Sequence, residues 1–246
     1  MAAALVAVIA VAGAPACSGS GHSRHAALPA GPQQMTATVD AVRLGVSGGC
    51  ARNRVGGGLT DGRVVLTSAT LVAGAGTVQV TNAQGKQVSG RVVALDADID
   101  VAWVYAPGLP SVQIAPAQRS DRVVPAYLFT FAADGTPVTY RAQTLERTTT
   151  TTTDVFGIHA VRRDIYRLHL DSAATAPVSG APVLDSSGNL LGIASATPSG
   201  DTRTVDVVAG DAVARSAATR SLSAQDPATM ATSSGTRCAT AVSASS

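Results

Sequence analysis

Charge is scarce in this chain. Lys, Arg, Asp and Glu make up 14% of its 246 residues, where soluble domains average about 25%. The 18 basic and 16 acidic residues leave a formal charge of +2 with no basic run. The clustered positive footprint of a nucleic-acid binder is therefore missing. Aromatics are scarcer still, at 3% of the chain, and all eight fall between Trp103 and Tyr166. A core must come mainly from Val, Leu, Ile and Ala, and an apolar content of 46% is enough to build one and excludes general disorder. After the first sixteen residues no apolar run is long enough to cross a bilayer. The four histidines and three cysteines form no cluster with metal-ligand spacing, so neither a metal nor another cofactor is expected.

Those first residues, MAAALVAVIAVAGAPA, are apolar throughout and end in Ala14-Pro15-Ala16 before Cys17. An apolar run closed by small residues is the core and cleavage site of a secretory signal, here without a positive residue ahead of it. A globular helix would need a polar face, which these sixteen residues do not have. The following CSGSGHSRH has the composition of a flexible tether, in which His22 and His25 are solvated rather than metal-bound. With Cys17 at its head, the segment resembles a bacterial lipoprotein signal, whose cysteine receives the lipid. The chain then divides into a signal at 1–16, a tether at 17–36, a folded domain at 37–222 and a Ser/Thr-rich tail at 223–246. Its expected location is the periplasmic face of the cell envelope, lipid-anchored to the membrane at Cys17 or secreted. With Cys17 lipidated or lost, Cys50 and Cys238 are an even pair in an oxidising compartment. A disulfide between them closes a loop of about 190 residues and is worth about 4–5 kcal/mol in the chain-entropy view. Two free buried thiols are the alternative.

Past the tether, short Val-rich runs alternate with Gly, Asp and Asn. Val42 to Val46, Arg63 to Leu66, Thr77 to Val80, Val88 to Leu95 and Val101 to Tyr105 read as strands. So do Tyr127 to Phe131, Ile165 to Leu170, Leu190 to Ala194 and Thr204 to Val208. This spacing, with no long helical pattern between the runs, predicts an all-β sandwich or barrel. A connector from Pro110 to Ser120 splits the series into two halves, and one helix is expected from Asp211 to about Arg220. The six threonines Thr148 to Thr153 suit a strand by propensity but read as a low-information loop. The tail after Leu222 has the composition of a disordered segment, held only by Cys238.

Three segments carry more than fold. Gly56-Gly57-Gly58-Leu59 precedes Thr67-Ser68-Ala69-Thr70-Leu71-Val72; Asp96-Ala97-Asp98-Ile99-Asp100-Val101-Ala102 follows; then Pro177-Val178-Ser179-Gly180-Ala181-Pro182 leads into Gly188-Asn189-Leu190-Leu191-Gly192. In this order they resemble the trypsin-like serine peptidases, whose segments read G-x-G-F…T-x-A-H-V-V, D-x-x-x-D-(V/L)-A and G-x-S-G-G-P. That resemblance implies two antiparallel β-barrels with a peptide-binding cleft between them, and the chain order His, Asp, Ser of the catalytic triad. The string from Asp154 to Asp171, DVFGIHAVRRDIYRLHLD, is similar to the strand and loop before the nucleophile in the MarP-type acid-resistance proteases of actinobacteria. Those proteases tie the first strand to the C-terminal tail by a disulfide, which implies Cys50 bonded to Cys238.

The departures from the pattern bear on function. Thr70 stands where the family has its general-base histidine. A threonine hydroxyl does not exchange protons near neutrality as imidazole does. Asp100 and Ser179 keep the residue types of the orienting carboxylate and the nucleophile. Pro177 stands where a glycine N–H would be one of two donors to the oxyanion, the other being that of Ser179, and proline has no N–H. Ala181 replaces the second glycine of S-G-G-P. Of the other histidines, His169 alternates with Leu168 and Leu170 and points away from the apolar face of its strand. His159 lies in the loop before that strand, and either of these two histidines is a candidate substitute base. The leading expectation is an exported pseudopeptidase whose cleft binds a peptide or protein ligand. The alternatives are a serine endopeptidase with a non-standard base and a structural envelope lipoprotein. The leader makes a direct prediction: the intact mass of the protein purified from membranes should correspond to a chain beginning at lipidated Cys17. A species that retains Met1 and carries no lipid would remove both claims.

Overall fold

A computed structural model describes residues 40–50, 53–109, 115 and 116, 123–195, 201–220, 222 and 225–232. The signal, Cys17, the tether, Cys238 and most of the 110–120 connector lie outside those residues. Among the described residues, β1 (Ala41–Val46), β2 (Arg54–Asp61), β3 (Val64–Thr67), β4 (Val78–Asn82), β5 (Gln87–Asp96) and β6 (Val101–Tyr105) close one antiparallel barrel in the order β1-β2-β3-β6-β5-β4. A second closes from β7 (Pro125–Phe131), β8 (Pro137–Thr153), β9 (Ala160–Leu170), β10 (Pro182–Asp185), β11 (Leu190–Ala194) and β12 (Thr204–Ala209), in the order β10-β11-β12-β9-β8-β7. A single turn, α1 (Ala69–Val72), follows β3, and α2 (Gly210–Thr219) follows β12. The expected all-β, two-barrel class and the late helix are the ones observed.

The threonine run is where the sequence reading fails. Thr148 to Thr153 is not a loop; it is the second half of β8, paired residue by residue with Ile165 back to Ala160 of β9. Six β-branched residues favour extended backbone, and no glycine interrupts them before Gly157. Low complexity here is not low structure. Thr148, Thr150 and Thr152 are half-buried, while Thr149, Thr151 and Thr153 face solvent, the alternation of a two-faced ribbon.

Three apolar clusters account for the packing. Val42, Leu44, Val65, Leu71, Val80, Val92 and Val104 fill the first barrel. Leu128, Tyr140, Leu168, Leu170, Val183, Val205 and Val207 fill the second. The third cluster lies between them: Leu59, Leu66 and Trp103 from one barrel meet Phe129, Phe131, Ile193 and Val213 from the other barrel and α2. Much of the small aromatic content is thus concentrated where the barrels join, and a large rigid ring fills such a junction better than valine.

The two barrels also meet through backbone. Gly57 N–H donates to the Ser179 carbonyl at 2.9 Å, and a Cβ on Gly57 would lie 2.8 Å from the Cα of Ala181. Val178 to Ala181 is a tight turn closed by Ala181 N–H on the Val178 carbonyl at 3.0 Å. Gly180, third in that turn, has φ +77°, the left-handed conformation that a type II turn requires there. The chain returns to the first barrel after α2. Arg91, stacked on Tyr105 at 5.3 Å, donates to the carbonyls of Pro227 and Ala228 at 2.7 Å and to that of Met230. Residues 225–232 of the tail therefore have an anchor of their own, one that composition did not reveal.

Gly180→Ala tests the junction. The new methyl would lie 2.3 Å from Thr67 Oγ1 and 2.4 Å from the Gly57 carbonyl, in a backbone conformation unfavourable for alanine. Left-handed backbone alone costs about 1–2 kcal/mol, and overpacking adds about 1–3 kcal/mol. A loss of about 3 kcal/mol in urea unfolding is expected; an unchanged midpoint would contradict the packing described.

Candidate active site

Asp100 is the buried centre of the site, 1% exposed. It closes the turn between β5 and β6 at φ +61°, a left-handed position that Asp tolerates better than most residues. Its carboxylate is held from three directions. Oδ1 accepts the Thr70 backbone N–H at 2.7 Å and the Ser68 hydroxyl at 3.2 Å; Oδ2 accepts the Ser195 hydroxyl at 2.7 Å. The Asp100 carbonyl also receives the Ala69 N–H at 3.2 Å. Thus the start of α1 lies over Asp100 on one side, and the end of β11, from the opposite barrel, closes the other.

Ser179 sits in the tight turn, partly exposed, with its carbonyl fixed by Gly57. Thr130 Oγ1 donates to the Pro177 carbonyl, and Gly180 N–H donates to the Ala194 carbonyl at 2.8 Å. These bonds set the path of the loop that presents the serine. Ser179 Oγ donates to Ser68 Oγ at 3.3 Å. The hydroxyl lying between Ser179 and Asp100 is therefore that of Ser68; Thr70 reaches the carboxylate through its N–H. Ser68 also caps α1, accepting the Leu71 N–H at 3.4 Å.

Ser68 and Ser195 are the site residues that the sequence reading did not single out. Ser68 occupies the unspecified position of T-x-A-H, and Ser195 follows β11 by one residue. Neither has a spacing signal, since they lie 32 and 95 residues from Asp100.

Neither described histidine meets Ser179. His169 is exposed on β9. The ring Nδ1 of His159 is 3.1 Å from Asp154 Oδ2, with the side chain 75% exposed. Asp154 itself is buried and tightly held: its carboxylate accepts the N–H groups of Phe156 at 3.0 Å, Ile158 at 2.9 Å and His159 at 3.3 Å. The Ile158 bond foremost, with those from His159 and Phe156, outweighs burial and holds the Asp154 carboxyl below the ordinary aspartate range.

A chamber of about 390 Å³ opens beside these groups, bounded by Thr70, Asp100, Ser195, Thr150 to Thr153, Asp154 and Arg163. The threonine ribbon forms one wall. Arg163 braces it, donating to the carbonyls of Ala97, Asp98 and Thr153, and Val155 N–H reaches the Ala97 carbonyl at 3.1 Å. The β8–β9 hairpin is thereby fastened over the turn that carries Asp100. The walls offer hydroxyls, carbonyls and carboxylates, and among the described residues no cluster of His, Cys, Asp and Glu could hold a metal ion.

Comparison with known proteins gives the same architecture. The family model for the trypsin-like peptidase domain matches residues 31–193. The active form of the Rv3671c protease from M. tuberculosis superposes with a TM-score of 0.71 at 23% identity, covering 89% of this chain and 98% of that one. The MamO protease domain from Magnetospirillum magneticum, apo form, gives 0.57 at 18% identity, covering 71% and 94%. The HtrA-type protease AlgW with tripeptide also gives 0.57 at 18%, covering 74% of this chain and 61% of its own. At these identities the likeness is one of fold. No curated protein sequence matches the chain.

The Asp154 loop makes a pH-dependent prediction. Its depressed carboxyl stabilises the fold fully above about pH 4, the unfolded value. That stabilisation is lost as pH falls through the lower folded value. Asp154→Asn should cost about 2 kcal/mol at neutral pH, and the gap to wild type should close on acidification. Urea unfolding of both proteins across the acid range measures it; a gap independent of pH would contradict the assignment.

Proposed function

The chain belongs to the trypsin-like peptidase domain family, and we propose that it is a member without peptide turnover, an exported protein of the cell envelope whose inter-barrel cleft binds peptide or protein ligands. The observation that carries this reading is Thr70. Its N–H keeps the bond to Asp100 that orients this position, while its side chain offers no imidazole. The carboxylate, the nucleophile and the loop between them remain, and the base between them is gone. Loss of the base costs about 10⁶ in rate in a well-studied serine protease.

Pro177 supports the same conclusion. With no N–H at that residue, an oxyanion is left with the Ser179 N–H alone of the usual pair, and removing one donor costs about 10²–10³. Base and oxyanion hole act on one transition state, so the two losses do not simply multiply. His159 is a poor substitute base because Asp154 holds its ring outside, in solvent.

Peptide is the ligand class favoured by the likeness to peptidases, one of them solved with a tripeptide. The chamber walls suit it: hydroxyl and carbonyl groups can bond an extended backbone without selecting a charged side chain. Export follows from the N-terminal signal, with anchoring through lipid on Cys17 and a Cys50–Cys238 disulfide fixing the tail.

The wild-type protein should hydrolyse neither peptides nor peptide esters above background, and peptide binding should perturb Thr70 and Thr150 to Thr153 in NMR spectra. Thr70→His should recover little ester hydrolysis. Among the described residues Asp100 Oδ2 accepts only from Ser195, which leaves a lone pair for an imidazole N–H, but Pro177 still withholds an oxyanion donor. Thr70→His with Pro177→Gly should exceed either single change, and Ser179→Ala should abolish the gain. Robust hydrolysis by the wild type, lost on Ser179→Ala, would overturn the reading.

A further inference from the structure

The three-hydroxyl and carboxylate cluster has a direction. A carboxylate only accepts hydrogen bonds, whereas a serine hydroxyl donates one and accepts up to two. Ser68, fully buried, therefore donates its single proton to Asp100 Oδ1 and has only lone pairs to offer its other neighbours. The Leu71 N–H takes one of them and the Ser179 hydroxyl takes the other. Consequently the Ser179 proton points inward toward the carboxylate, and the Ser179 lone pairs point outward to the cleft. That is the polarity of an activated serine, reached by a path behind Thr70 rather than through it. At 3.2 and 3.3 Å the two hydroxyl bonds are long, as such bonds often are before a ligand closes on them.

We infer that Ser68 is a proton relay between Ser179 and Asp100, and that it makes Ser179 a slow nucleophile toward activated acyl and phosphonyl donors, which it accepts once without turnover. This inference rests on the reading of the cleft as unable to turn over peptides. In the step, Ser179 Oγ forms a bond to the acyl carbon or the phosphonyl phosphorus, and the bond from that atom to the leaving group breaks, its electron pair departing with the leaving group. As Oγ attacks, its proton passes to Ser68 Oγ while the Ser68 proton passes to Asp100 Oδ1. The proton then stays on the buried Asp100 carboxyl, since a single acceptance does not require it to be released.

The chemistry of the site restricts the donor class. An amide must expel an amine, which needs a proton delivered to its nitrogen; the relay carries the proton away behind Ser179, and Thr70 offers no imidazolium to return it. Fluoride, phenolates and thiolates leave as anions and need none. Once Ser179 is acylated it has no proton to pass on, and among the described residues the two histidines lie elsewhere, His159 at Asp154 and His169 exposed on β9, so no imidazole activates water and the adduct persists. The reactive class is thus esters, thioesters and fluorophosphonates with good leaving groups.

Reaction of the purified protein with p-nitrophenyl acetate, and separately with a fluorophosphonate, tests the relay by nitrophenolate release and intact mass. The expected result is a burst of one equivalent, a single adduct absent in Ser179→Ala, and no steady release. Ser68→Ala should slow adduct formation about 100-fold, the low end of a general-base contribution, and Ser68→Thr, which retains the hydroxyl, should restore much of it. Ser68 also caps α1, so thermal melting of each variant is recorded alongside. Should Ser68→Ala fail to fold, the proton inventory of the wild-type reaction in H2O and D2O mixtures decides. A curved inventory, with two protons in flight, supports the relay, and a linear one overturns it. A wild type that forms no adduct, or a folded Ser68→Ala that reacts at the wild-type rate, overturns the relay and leaves the absence of peptide turnover standing. Steady release that depends on both Ser179 and Ser68 would retain the relay and overturn the single acceptance, and turnover of a peptide amide by the same protein would overturn the absence of peptide turnover.

Discussion

Asp100 is an aspartate side chain at 1% exposure, and the elements of the site are arranged around satisfying it. An ionised group removed from water costs several kcal/mol unless donors replace the water. Here the donors come from three places in the chain: Ser68 at the end of β3, the first turn of α1, and Ser195 at the end of β11. Because Ser195 belongs to the second barrel, the bond that satisfies the charge also ties the two barrels together at the cleft. The same requirement explains the left-handed backbone at Asp100, where the carboxylate bonds hold a conformation of modest cost.

The second contact that fixes the cleft is steric. The Ser179 turn lies against β2 so closely that Gly57 and Gly180 leave no room for side chains, and Ala181 is already fully buried there. Ser179 is thus placed by backbone bonds to Gly57 and Ala194, independently of whether a base stands opposite. These contacts hold the shape of the site with no histidine among them. Satisfying the carboxylate and packing the turn both serve stability, and neither depends on the imidazole. A hydroxyl chain from Ser179 through Ser68 to Asp100 remains as the residue of that architecture.

The β8–β9 hairpin adds a wall that a minimal barrel would not need. Its outer half extends past the pairing with β12, which ends at Ile165, and stays extended because threonine pairs and Arg163 hold it against the turn before Asp100. Asp154 caps its loop and keeps His159 at the rim. The chamber is consequently walled largely by hydroxyl, carbonyl and charged groups.

Most of the framework could be read in the residues themselves. Valine alternation gave the strands, because a half-buried strand has a period of two, and the ordered segments around Thr70, Asp100 and Ser179 identified the two-barrel family. The reading failed where composition and structure part company: six threonines carry no periodic contrast, so only pairing with β9 makes them a strand. Likewise the anchoring of the tail by Arg91 and the convergence of Ser68 and Ser195 on Asp100 depend on contacts 32 to 139 residues apart. A lone serine has no local signature, since its role follows from which hydroxyls and carboxylates the fold brings within bonding distance. The sequence by itself determined the two-barrel family, and that residue 70 is a threonine without an imidazole and residue 177 a proline without an N–H, because each is a matter of residue type. The tertiary structure alone decided the hydrogen bonds from Ser179 through Ser68 to Asp100 and the position of His159 against Asp154, because each is a matter of distance.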